Sequence, residues 1–229
     1  MLYLKDLVYH PPASPTAILK PTNLELVPQE LALIVGPSGS GKTTLLEILA
    51  GLARKTSGEI CWCNGAYRSG SSSHRQLTPE DMQEISGLVF QFPERHFCGN
   101  SILEELRLGH PEFSSQQIQQ TLQEVGLDHL SLDTSPYSLS GGQQRRLALA
   151  VQLIRQPHIL LLDEPTAGLD WSMRRQLVSL LEKLRGHWTL LVVSHDASEL
   201  TEIADRCWHI HLGEVKAVDT NFPKSNQSA

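Results

Sequence analysis

Residues 31–35 (LALIV), 159–162 (ILLL) and 190–193 (LLVV) are uninterrupted apolar runs. A strand with water on one side alternates polar and apolar side chains. Runs without that alternation predict strands buried on both faces, as in a parallel sheet covered by helices. KTTLLEILAGL follows the first run and WSMRRQLVSLLEKLR the second, both with helical spacing, so strands and helices alternate and the core reads as α/β. A two-residue period over 2–8 (LYLKDLV), 23–27 (NLELV) and 59–64 predicts half-exposed antiparallel strands at the N-terminal side. The same period recurs over 209–218 around a turn at Leu212-Gly213-Glu214, and 88–90 reads as one more short strand.

Between 111 and 155 the chain is Gln-rich and strand-poor. SSQQIQQTLQEVGL and GGQQRRLALAVQLIRQ have helical spacing, with Ser114 and Ser140 placed as N-caps, which predicts a helical insertion between two sheet strands. Residues 68–75 (RSGSSSHR) read as a flexible surface loop and 220–229 as a disordered tail, leaving residues 1–219 as a single domain. Composition then removes several classes. The longest apolar runs fall far short of the about 20 residues that cross a bilayer, so no membrane span is expected. MLYLKDLVYH lacks a basic start and a long apolar stretch, so no secretory signal is expected. With 19 Lys plus Arg against 25 Asp plus Glu, the net charge of −6 argues against a nucleic-acid partner.

The candidate chemistry begins at Gly36-Pro37-Ser38-Gly39-Ser40-Gly41-Lys42-Thr43, a G-x-x-x-x-G-K-[ST] loop between a buried strand and a helix. Glycines let successive backbone N–H groups turn inward around phosphate oxygens, and the helix start adds its positive end to the same anion. Lys42 is expected at the β and γ phosphates and the Thr43 hydroxyl on Mg²⁺, with Thr44 also among the nucleotide-binding residues. The second apolar run ends in Asp163-Glu164. A carboxylate at the end of a buried strand needs a cation or donors, so Asp163 is expected to hold Mg²⁺. Glu164 is placed to take a proton from the attacking water in phosphoryl transfer. Together these residues imply a nucleoside triphosphatase.

Leu139-Ser140-Gly141-Gly142-Gln143 narrows the class, because the chain here resembles the ATP-binding cassette ATPases over nearly its full length. The resemblance implies a P-loop NTPase cassette: a mixed, mostly parallel core sheet, an N-terminal antiparallel β subdomain and a helical insertion. It implies ATP and Mg²⁺ as cofactors, and a head-to-tail dimer, with itself or a paralogue. In that dimer Ser140, Gly141, Gly142 and Gln143 of one subunit close on ATP held by the other. It further implies that Gln91 touches Mg²⁺ and water and that His195 is a switch histidine at the γ-phosphate. Asp170 would lie in a loop crossing the dimer interface, and Tyr9 would stack on adenine. Glu164, His195, Gln91 and Lys42 are thus the expected catalytic set, and Thr43, Gln91 and Asp163 the metal set.

An ATPase without a span needs a membrane subunit to act in transport. The resemblance places that docking site at residues 92–97 (FPERHF), with Phe92 and Phe97 as apolar anchors and Glu94 and Arg95 as a charged rim. The run from VFQFPERHF to SILEEL is similar to the energy-coupling factor branch, which imports vitamins or transition-metal ions, and to cassette subunits of cyanobacteria and plastids. Many members of that branch carry a further C-terminal segment beyond the last strand. The implied location is the cytoplasmic face of a membrane, or the stromal side in a plastid. The alternative is a non-transport cassette ATPase in cofactor assembly. Cys61 and Cys63 share one strand face, as do His209 and His211, and both pairs read as packing rather than as metal ligands.

Overall fold

The computed structural model describes residues 1–12, 14, 16–63, 74–196 and 199–218. Its elements run β1 (Leu2–Tyr9), β2 (Leu19–Leu26), β3 (Leu31–Val35), α1 (Lys42–Leu49), β4 (Ser57–Cys63), β5 (His74–Gln76), α2 (Pro79–Ile85) and β6 (Ser86–Val89). There follow α3 (Ile102–Leu106), α4 (Ser115–Glu124), α5 (Gly141–Leu153), β7 (Ile159–Asp163), α6 (Trp171–Leu184), β8 (Leu190–Ser194), α7 (Leu200–Ile203), β9 (Arg206–His211) and β10 (Glu214–Val218).

The three apolar runs are β3, β8 and β7, adjacent strands inside a sheet of order β10-β9-β3-β8-β7-β6. Its strands pair in parallel except β10, which runs antiparallel to β9. Each run lacks polar alternation because its residues feed two cores in turn. Leu31, Leu33, Leu160, Leu162, Leu190 and Val192 face one side, packed with Ile118 of α4, Leu147 and Leu153 of α5 and Leu181 of α6. Ala32, Ile34, Ile159, Leu161, Leu191 and Val193 face the other, packed with Leu45, Leu46 and Leu49 of α1. Burying each such leucine is worth about 2 kcal/mol. The second, antiparallel sheet, of order β2-β1-β4-β5, covers the α1 side through Leu2, Leu4, Leu24 and Leu26. The fold is therefore the expected α/β cassette, and α1 and α5 lie on opposite faces of the central sheet.

Three details differ from the expectation. His74 and Arg75, read as part of the 68–75 loop, lie in β5 and pair with Cys63 and Trp62 of β4. Backbone bonding to the edge of β4 holds this fully exposed polar strand, so no apolar pattern announces it; residues 68–73 fall outside the described segments, as do 219–229. A helix, α3, precedes the expected start of the helical stretch at 111. Its buried Glu105 accepts from the backbone N–H groups of Cys98 (2.8 Å) and Gly99 (2.6 Å), so a residue that looks solvent-bound fastens the loop before the helix. Phe97 is also not a surface anchor. It is 6% exposed and belongs to the core packed on α3 to α6, because a lone aromatic in a loop is buried or not by tertiary contacts that sequence spacing does not report.

Candidate functional site

The carboxyl ends of the parallel strands build the site. Val35 of β3 is in register with Ser194 of β8, and Val193 with Asp163 of β7, so the chain leaves three neighbouring strands at one edge. From Val35 it turns into the glycine loop. A Cβ on Gly36 would stand 2.2 Å from the Ile210 carbonyl oxygen, so only glycine fits there. Gly41 has φ 105° and caps α1 with no side-chain hydrogen bond, and no acidic residue sits in the first turn. The first amides of α1 and its positive end are thus left for an anion. Pro37, Ser38 and Gly39 are exposed, whereas Ser40 is buried and its hydroxyl oxygen has no partner among the described residues.

Lys42 is buried beneath this loop. Its ammonium donates to the carbonyls of Gly36 (2.8 Å) and Pro37 (3.0 Å) and stands 3.5 Å from Glu164 Oε1. Two of its three N–H bonds are thereby used, leaving the third for Glu164 or an anion. Glu164 itself adopts φ 47°, a left-handed conformation costly for a non-glycine residue, held by its N–H bonding to the Val193 carbonyl at 2.9 Å. Its Oε2 accepts from the backbone N–H of His195 at 3.0 Å and lies 2.7 Å from His195 Nδ1. A carboxylate only accepts, so Nδ1 carries the proton and Nε2 is left for another partner. The half-exposed imidazole is thus oriented by the carboxylate it touches. Arg174 of α6 fixes the next residue, pairing with Asp196 at 2.8 Å.

Thr43 donates to Asp163 Oδ2 at 2.9 Å. The other oxygen, Oδ1, is buried without a hydrogen-bond partner among the described residues. Burial pushes the Asp163 carboxyl pKa up, the Thr43 bond opposes this, and the Glu164 charge adds to the rise. A buried carboxylate whose charge is disfavoured, with one free oxygen and a hydroxyl alongside, is a fitting oxygen donor set for a hard divalent cation. Gln91 follows β6, whose Val89 is in register with Leu162, so it emerges at this same edge.

The other expected residues lie away from this cluster. Ser140 caps α5, accepting from Gln143 N–H at 3.3 Å while Gln143 Oε1 accepts from Ser140 N–H at 2.9 Å. Helix geometry leaves the Gly141 and Gly142 amides without intrahelical partners. This helix end faces α6 rather than its own glycine loop: the space beside Gly142 is filled by Met173, and that beside Gly141 borders Leu169. Asp170 caps α6, accepting from Met173 N–H at 2.9 Å, and the next residue, Trp171, is 68% exposed. Tyr9 ends β1 half-buried, opposite Leu19, and it is the side chain of Leu19 that abuts Gly41. Arg145 was not anticipated. It is 5% exposed and bonds the carbonyls of both Gln91 and Ala167. Its signal was a position on the apolar face of α5 beside Ala148 and Leu149.

Comparison with known proteins agrees with this geometry. A family model described as ABC transporter matches residues 19–167. The chloroplastic ABC transporter I family member 11 of Arabidopsis thaliana is 43% identical over 221 residues, 93% of this chain and 78% of that protein. The energy-coupling factor transporter ATP-binding protein EcfA2 of Bacillus subtilis (strain 168) is 35% identical over 195 residues, 80% of this chain and 68% of that protein. The solved structure of cbiO1 from Clostridium perfringens, part of the ABC transporter complex cbiONQ, has a TM-score of 0.81 at 27% identity, covering 94% of this chain and 86% of that one. These relatives are transporter components, which favours transport over the cofactor-assembly alternative. The chain belongs to the ABC transporter family, as one of its ATP-binding, ATP-hydrolysing subunits.

Proposed function

We propose that the chain is the motor subunit of an energy-coupling-factor-type importer for a vitamin or a transition-metal ion, attached to a membrane subunit at the cytoplasmic or stromal face. The motor half of this reading rests on the convergence of Lys42, Thr43, Asp163, Glu164 and His195 at one sheet edge, and the importer half on the likeness to EcfA2 and cbiO1. ATP phosphates lie in the loop from Gly36 to Thr43, with Thr44 behind it and Tyr9 against the adenine. Lys42 donates to the β and γ phosphates. Thr43 and Asp163, with Gln91, would hold Mg²⁺, which would supply positive charge against the phosphates. Glu164 takes the proton of the attacking water, and His195 holds that carboxylate through Nδ1–H and would donate to the γ-phosphate through Nε2 with both ring nitrogens protonated.

The position of α5 supports the dimer. The helix that Ser140 caps, α5, lies on the sheet face opposite α1, so a second cassette, a copy or a paralogue, brings its own Ser140–Gln143 helix end to the phosphates. Asp170 and the exposed Trp171 then lie at the seam. The permease docks on the loop after Gln91. Phe92 is half-buried with Arg95 4.7 Å above its ring, and Arg95 and His96 are exposed, an apolar centre with a charged rim for a helix. The test is affinity purification of the tagged chain from solubilised membranes, with mass spectrometry. A multi-span membrane protein is expected in stoichiometric yield, reduced about tenfold by Phe92→Ala, the effect of losing one interface anchor. Equal recovery with Phe92→Ala would overturn this docking site, and absence of any such protein would overturn the importer reading.

A further inference from the structure

The apolar face of α5 contains one charge. Arg145 follows Gly142 by three residues and precedes Ala148 and Leu149 by three and four, so the helix turns it inward with them. Its guanidinium donates through Nη1 to the Gln91 carbonyl and through Nη2 to the Ala167 carbonyl, the latter at 2.9 Å. It also lies 5.8 Å from the centre of the Phe92 ring, the ring that carries Arg95. Among the described residues no carboxylate forms an ion pair with it. Glu94 acts on it only at longer range, and burial pushes its pKa down.

Burying a guanidinium without a paired carboxylate is costly, and an apolar side chain here would extend the core without that cost. What an apolar residue lacks is the planar fork. Fixed donors in one plane hold two carbonyls at a set separation, which a lysine ammonium does not do. The two carbonyls belong to different loops. Gln91 opens the loop that carries Phe92, Arg95 and His96. Ala167 sits in the turn between Glu164 and Asp170, and its N–H bonds back to the Glu164 carbonyl at 3.0 Å.

We propose that Arg145 is a positioning residue for ATP hydrolysis, a strut that fixes the loop after Gln91 to the turn after Glu164. Through it, displacement of the Phe92 segment is passed to Ala167 and so to the backbone of Glu164 and the Asp170 cap. Its catalytic consequence rests on the ATPase reading above, and its structural content does not.

The experiment compares the full chain with Arg145→Lys and Arg145→Met. Hydrogen exchange of nucleotide-free protein is expected to quicken about tenfold in peptides covering both 91–97 and 164–170, with α1 unchanged. In steady-state assays with Mg²⁺ and ATP, kcat is expected to fall about 10- to 100-fold while KM stays within about threefold. Lysine keeps the charge and does not restore kcat. Loosening of only one segment, or wild-type kcat in folded Arg145→Lys, would overturn the strut. So would kcat and KM worsening together in step with a lowered Tm. If Arg145→Met does not fold, Arg145→Lys decides. Neither measurement uses a membrane partner, so the docking site and the strut fail separately.

Discussion

Glu164→Gln is expected to stop turnover while ATP stays bound, leaving a stable dimer in the presence of Mg²⁺ and ATP. Removing a general base costs about 10²- to 10⁴-fold in rate. The site around the substituted side chain survives, because an amide oxygen in place of Oε2 still accepts from the His195 N–H now 3.0 Å away. The substitution also frees Lys42 from a carboxylate 3.5 Å from its ammonium. Glu164 therefore no longer competes with phosphate for that charge, and ATP affinity is expected to hold or rise. Loss of the Glu164 charge acts on Asp163 in the same direction, since that charge helps to raise the Asp163 pKa. A more readily ionised Asp163 is a better cation ligand. Phosphate release and light scattering coupled to size exclusion make the test. A monomer with bound ATP would refute the two-cassette arrangement, and retained turnover would refute the role of Glu164 as base.

Much of this fold was legible because its strands and its loop are local features. LALIV, ILLL and LLVV stand out since each strand serves two cores, and the glycine loop is contiguous in sequence. Asp163-Glu164 could be placed because it directly ends an apolar run. What escaped depends on distant contacts. His195 meets Glu164 across 31 positions, and only the parallel register of β7 and β8 brings them together. The left-handed backbone of Glu164 has no signature in residue type.

Polar residues buried for structural reasons were not anticipated at all. Glu105 holds two loop amides, and Arg145 lies inside on the apolar face of α5. Phe97 shows the converse error: its chemistry suited an exposed anchor, but the core under α3 claims it. Phe92, five residues earlier, is only half-buried, with its ring under Arg95 at the surface, so it alone remains in the proposed docking site. Pattern reading thus succeeds where a whole face repeats and fails where one side chain chooses between core and solvent.

Lys42→Ala is expected to weaken ATP binding by at least about 100-fold, measured by calorimetry on protein shown to be folded. A charge-assisted hydrogen bond is worth about 1.5–3 kcal/mol, and Lys42 is placed to serve two phosphates, so the loss sums to about 3–6 kcal/mol before the loop relaxes. A competing effect lowers stability instead. The variant removes the donor to the Gly36 and Pro37 carbonyls and leaves Glu164, 7% exposed, without its nearest cation. Exposing that carboxylate to a water in the vacated space limits this cost to about 1–3 kcal/mol, a lowered Tm rather than an unfolded chain. The two effects separate because stability is read without nucleotide and affinity with it. Lys42→Arg sharpens the comparison. It keeps the charge, but a planar fork does not reproduce the compact ammonium that bonds two loop carbonyls at 2.8 and 3.0 Å. Its affinity is therefore expected to fall between those of the native chain and Lys42→Ala. If Lys42→Ala binds ATP within threefold of the native chain, the anion site rests on the backbone amides and the α1 dipole alone, and the assignment of Lys42 to the phosphates is wrong.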